Sequence, residues 1–75
     1  MKNVKVETVY FINPVTIRTR NETRPERVLS HSRYDLEMVS VNWLLVVSAE
    51  GHRTWVPAHN ISSIVELQEP QDEEK

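Results

Sequence analysis

The sequence predicts a mostly β domain with one short helix. Three features carry that prediction: the apolar run Trp43–Val47, the lone glycine at position 51, and a returning segment Arg53–Val56 that stops at Pro57. Glycine supplies the positive φ that a hairpin turn usually needs, so Gly51 marks the turn. Arg53-Thr54-Trp55-Val56 is rich in aromatic and β-branched residues, and Pro57 has no N–H to give to a ladder. Ala58-His59-Asn60 suits a single 3₁₀ turn. Ile61, Ser63, Val65 and Leu67 then alternate with Ser62 and Glu66 as a last strand ending near Leu67.

Upstream, Val4, Val6, Thr8, Tyr10 and Ile12 fall on one side of an extended segment, with Lys5, Glu7, Val9 and Phe11 on the other. Asn13-Pro14 reads as a turn, after which Val15, Ile17 and Thr19 alternate with Thr16, Arg18 and Arg20 in a second strand with arginines outward. Thr23-Arg24-Pro25-Glu26 has the spacing of a capping box with proline in the first turn, which predicts a short helix from about Arg24 to His31. Its apolar content is only Val28 and Leu29, so it is expected to lie against the sheet as a lid. Leu36–Val41 resumes the strand pattern, and Asn42 is expected to mark a bulge where one long strand changes sheets on its way to Val47.

Seventy-five residues permit one domain, and a chain this short buries only about 60% of its unfolded surface, so a partner would help its stability. Residues 1–68 are expected to form that domain. The segment 69–75, with Pro70 and the run QDEEK, has neither apolar residues nor periodicity and reads as a disordered acidic tail. There is no cysteine, hence no disulfide framework, and Met1 is followed by Lys2 and Asn3 instead of an apolar leader, so a cytoplasmic location is expected. Asn21-Glu22-Thr23 and Asn60-Ile61-Ser62 match the glycosylation pattern without an export signal to make use of it. The longest apolar stretch, Trp43–Val47, is far below the roughly 20 residues that span a bilayer, so no membrane role is expected.

The order of strand, tight turn, strand, 3₁₀ turn and short strand over Trp43–Leu67, with VPAHNISSI at its end, resembles the closing half of SH3-like and Sm-like small barrels. The resemblance covers about a third of the chain and implies a small five-stranded barrel. In such barrels an aromatic platform binds extended peptides or bases, a role open to Trp43 and Trp55; the competing expectation is that both indoles lie mainly in the core or at its edge, because burying one removes about 150–250 Å² from water.

Charge is unevenly placed. The net charge is −2, yet residues 14–33 carry Arg18, Arg20, Arg24, Arg27 and Arg33 against Glu22 and Glu26, while Glu66, Glu69, Asp72, Glu73 and Glu74 crowd the C-terminal end. Two readings of the arginine segment compete. The arginines form a phosphate-contacting surface with Tyr34, Trp55 or His31 stacking on bases, or they form a protein-binding surface, since arginine and aromatic residues are enriched in hot spots. The negative net charge favours protein over polyanion, so the expected partner-binding residues are Arg18, Arg20, Arg24, Arg27, Arg33, Tyr34 and Trp55, with a nucleic-acid module as the alternative.

Catalysis is not expected. His31, His52 and His59 match no zinc spacing, no thiol supports them, and a single hairpin glycine builds neither a nucleophile elbow nor a phosphate loop. No metal or cofactor is implied. A small, acidic, cysteine-free domain with a charged tail is also similar in size and character to the accessory proteins that bacteriophages encode to bind host machinery. That likeness implies a non-enzymatic regulator, a monomer or weak homodimer, whose partner is a larger protein or complex such as RNA polymerase and whose effect is on transcription. Docking would use the arginine segment or the N-terminal strand Val4–Ile12 as an exposed edge.

Overall fold

A computed structural model describes residues 3–68. Six antiparallel strands form a curled sheet, a half-barrel: β1 (Val4–Arg18), β2 (Thr23–Ser30), β3 (Asp35–Met38), β4 (Trp43–Val47), β5 (Arg53–Pro57) and β6 (Ile61–Glu66). A 3₁₀ turn, Ala58–Asn60, joins β5 to β6, as its sequence predicts. The strand order is β2-β1-β3-β4-β5, with β6 also paired to β1. The expected tail, residues 69–75, lies outside the described residues.

The N-terminal segment is one strand of 15 residues, not two strands joined at Asn13-Pro14. Pro14 sits where the β1–β2 register slips between Tyr10 and Val15, beyond Phe11, the last residue paired with β6. The neighbouring backbone is satisfied by a side chain: Asn13 N–H donates to Asn60 Oδ1 at 2.9 Å and Asn60 Nδ2 donates to the Asn13 carbonyl at 3.1 Å. The amide of Asn60 thus stands in for a strand partner where β6 has given way to the 3₁₀ turn.

The predicted helix over Arg24–His31 is instead β2, and only its end keeps a helical trait. The Ser30 carbonyl accepts from Arg33 N–H and Tyr34 N–H, both at 3.1 Å, in a single turn that drops Tyr34 into the core. Eight residues with two apolar positions cannot sustain a helix, whereas pairing with β1 satisfies the backbone. Pro25 fits because it faces Thr16 between the hydrogen-bonded pairs, so its missing N–H points away from β1.

Two bulges overturn the simple alternation. Val6 pairs with Glu66 and Thr8 with Val65, which inserts Glu7 as an extra residue, so the inward set is Val6, Val9 and Phe11. In β6 the pairings Phe11↔Ile61 and Tyr10↔Ser63 insert Ser62, so Ile64 packs on the core while Val65 is exposed. The expected long strand through Asn42 is a hairpin, β3 and β4 paired from Asp35↔Val47 to Met38↔Leu44 and closed by Val39 N–H donating to the Trp43 carbonyl at 3.1 Å. Nor is Val4–Ile12 an exposed edge: Thr8, Val9 and Tyr10 pair with β2 and β6 at once.

The core gathers Val9, Ile17, Leu29, Leu36, Leu44 and Val56 with their neighbours. In the β4–β5 hairpin Gly51 has φ +93° and donates its N–H to the Ser48 carbonyl at 2.9 Å, as the sequence predicts. Nothing lies within 4 Å of an added Cβ there, so Gly51→Ala is expected to cost only the backbone strain of a left-handed residue, about 1 kcal/mol. Leu44, 0% exposed, is expected to cost about 2–5 kcal/mol on change to alanine. Urea denaturation of both variants checks the ranking, which a larger loss at Gly51 would reverse.

Candidate functional site

β4 and β5 are paired from Trp43↔Pro57 through Leu45↔Trp55 to Val47↔Arg53. Leu44, Val46 and Val56 point into the core, so by strand alternation Trp43, Leu45, Val47, Arg53, Trp55 and Pro57 occupy the outer face. Both indoles are on the surface, Trp43 43% and Trp55 51% exposed. Of the expectation that they lie in the core or at its edge, the core placement is overturned: both faces of β4 are apolar, and Leu44 and Val46 fill the interior. As diagonal neighbours across the ladder, the two indoles wall a cleft lined, among the described residues, by them alone. A second shallow groove shares Trp43 and is lined also by Asn42, Pro57, Ala58 and His59.

The surroundings of this face are balanced in charge. Lys5 pairs with Glu37 across β1 and β3, and Glu37 with Leu45, so the row runs Lys5–Glu37–Leu45–Trp55. Lys5 Nζ lies 3.5 Å from Glu37 Oε1 and 3.7 Å from Asp35 Oδ1. These exposed pairs contribute only about 0–1 kcal/mol each to stability, but they set one cation against two carboxylates at that end of the face and leave Arg53 at the other.

The partner-binding residues expected from sequence are not assembled into one surface. Arg18 and Arg20 border a shallow depression with Glu22 at the tip of the β1–β2 hairpin, and Arg24 lies beside it with its Nη1 3.7 Å from the Glu22 carboxylate. Because Arg18 faces Thr23 and Ile17 faces Arg24 across the ladder, Arg18 and Arg24 project from opposite faces of the ribbon. Arg27 is exposed on β2. Arg33 and His31 border a separate depression with Lys5, Asp35, Ser48 and Leu67. Tyr34 is 9% exposed and packs in the core, so its ring offers no face for stacking. Of the expected set, Trp55 alone lines the indole cleft. In the sequence Trp43 is paired with Trp55 only as a platform that the barrel resemblance implies, and Leu45, Arg53 and Pro57 are the residues missed, although counting back from Gly51 through the hairpin register brings Trp43 beside Trp55.

Among the described residues no group of three or more His, Asp or Glu is placed to hold a metal ion, and no helix is long and apolar enough to cross a membrane. Comparison with protein families, with curated proteins and with solved structures found no match to the chain.

Native-state fluorescence tests the placement of the indoles. Single-tryptophan variants, Trp43→Phe and Trp55→Phe, are each expected to emit as a solvent-accessible indole and to be quenched efficiently by acrylamide. A blue-shifted emission resistant to quenching in either variant would return that indole to the interior.

Proposed function

We propose that this chain is a small non-enzymatic protein-binding module of SH3-like type that regulates a larger partner by occupying it through the Trp43–Trp55 face. The observation that carries the reading is the cleft walled by two half-exposed indoles on a face of balanced charge. Tryptophan is among the residues most enriched in interface hot spots. Covering the exposed parts of both rings removes roughly 200 Å² of apolar surface from water, about 5 kcal/mol before the costs of association. A phosphate backbone gains little from a face where Lys5 is engaged by Asp35 and Glu37. Support for the SH3-like identity comes from the 3₁₀ turn ahead of the last strand and the return of that strand to β1.

The partner in this reading is a protein or protein complex, with host transcription machinery such as RNA polymerase as the class that the size and charge of the chain bring to mind. The alternative, a nucleic-acid-binding module, would draw on Arg18, Arg20 and Arg24 at the hairpin tip.

Affinity capture from bacterial lysate with the tagged full chain, with and without nuclease, separates them. A stoichiometric, nuclease-resistant partner is expected, weakened by about tenfold or more by Trp43→Ala or Trp55→Ala, and its identification by mass spectrometry tests the RNA polymerase assignment. Material lost entirely on nuclease treatment, and weakened by Arg18→Glu with Arg20→Glu but not by the tryptophan variants, would overturn the protein-binding reading.

A further inference from the structure

β5 is the terminal strand of its sheet, and its hydrogen-bonding register can be read from both ends. Ser48 N–H donates to the His52 carbonyl at 2.9 Å, and Ala58 N–H donates to the Asn42 carbonyl at 2.8 Å. Hydrogen-bonded pairs alternate along an antiparallel ladder, so Thr54 and Val56 are the β5 residues whose N–H and C=O meet β4. Arg53, Trp55 and Pro57 therefore aim their backbone groups away from β4. Pro57 has no N–H to offer and blunts one end of the edge; Arg53 and Trp55 leave two donors and two acceptors along the rest. Among the described residues β2, β6 and the Val15–Arg18 end of β1 also pair on one edge only, but β2 carries Pro25 and the charges of Arg24 and Arg27, that end of β1 carries Arg18, and the exposed residues of β6 include Ser62, Ser63 and Glu66.

We infer that β5 is a strand-addition edge that takes an extended segment of a partner protein bearing an apolar or aromatic residue and, two positions away, an aspartate or glutamate. The inference rests on the proposed protein-binding role of the indole face and specifies how the partner is held there. Main-chain bonds to Arg53 and Trp55 align the segment. Residues two apart on an added strand share a face, so the residue opposite Trp55 lies against the indole and the residue opposite Arg53 meets its guanidinium. Arg53 supplies the charge complementarity: on the outer face of β4 and β5 it is the one charged residue, and Lys5, on β1 in the same cross-strand row as Trp55, is occupied by Asp35 and Glu37.

The test is selection of a displayed library of random 12-residue peptides on the immobilised full chain, followed by affinity measurements with a synthetic enriched peptide. Enriched sequences are expected to alternate and to place an acidic residue two positions from an aromatic or aliphatic one. Arg53→Gln keeps the N–H and is expected to lose the preference for the acid. Arg53→Pro deletes a donor that β4 does not use, as Pro57 does naturally, and is expected to bind about tenfold or more weaker than Arg53→Gln. Should the proline variant misfold, the wild-type complex decides: the Arg53 and Trp55 amides are expected to gain protection from solvent exchange when the peptide binds. No enrichment, or a peptide bound equally by Arg53→Pro and Arg53→Gln with no such protection, overturns the strand-addition edge. If that same peptide is released by Trp43→Ala or Trp55→Ala, the indole face still stands as the binding surface.

Discussion

Pairing of β1 along both of its edges sets the rest of the structure. Over Thr8–Tyr10 the strand is bonded to β2 on one side and β6 on the other, and its first residues, Val4 and Lys5, carry β3. The two ends of the described chain are thereby tied to one element, which lets a short polypeptide enclose a core. Such double use has a geometric cost. The register of β1 slips against β6 at Glu7 and against β2 between Tyr10 and Val15. The Asn13–Asn60 amide pair holds the second slip in place.

That constraint also decides where function can reside. With β1 paired on both edges over Thr8–Tyr10, the unpaired strand edges of the described residues belong to β2, β5, β6 and the Val15–Arg18 end of β1. The inner face of β4 and β5 is spent on Leu44, Val46 and Val56, so the apolar residues left over, Trp43, Leu45, Val47 and Trp55, are displayed on the outside. Apolar side chains at half exposure are common singly, but two indoles sharing one cleft are not explained by packing. The arginines, which dominate the sequence between positions 18 and 33, are dispersed by the same topology over a hairpin tip, an edge strand and a turn.

The part of the fold legible in the sequence is the part governed by local chemistry. Gly51 and its positive φ, the arrest of β5 at Pro57 and the single 3₁₀ turn each depend on a residue's own backbone preference, and each is found where expected. What was illegible depends on tertiary pairing. Thr23-Arg24-Pro25-Glu26 is a good capping box, yet an available edge on β1 outcompetes a helix with two apolar positions. The inserted residues Glu7 and Ser62 invert the facing of everything beyond them, which no alternation pattern reveals. Trp43 and Trp55 were ambiguous because both faces of their hairpin are apolar; only the interior supply of leucine and valine settles which side is left for the indoles.

Residue-resolved amide hydrogen exchange of the free full chain tests this account most directly, because it reports the double pairing of β1 and the open edge of β5 at once. Slow exchange is expected at Thr8, Val9 and Tyr10, and at Thr54 and Val56, with Arg53 and Trp55 exchanging markedly faster than their immediate neighbours. Equal protection at Arg53, Thr54, Trp55 and Val56, or unprotected amides along Thr8–Tyr10, would contradict it.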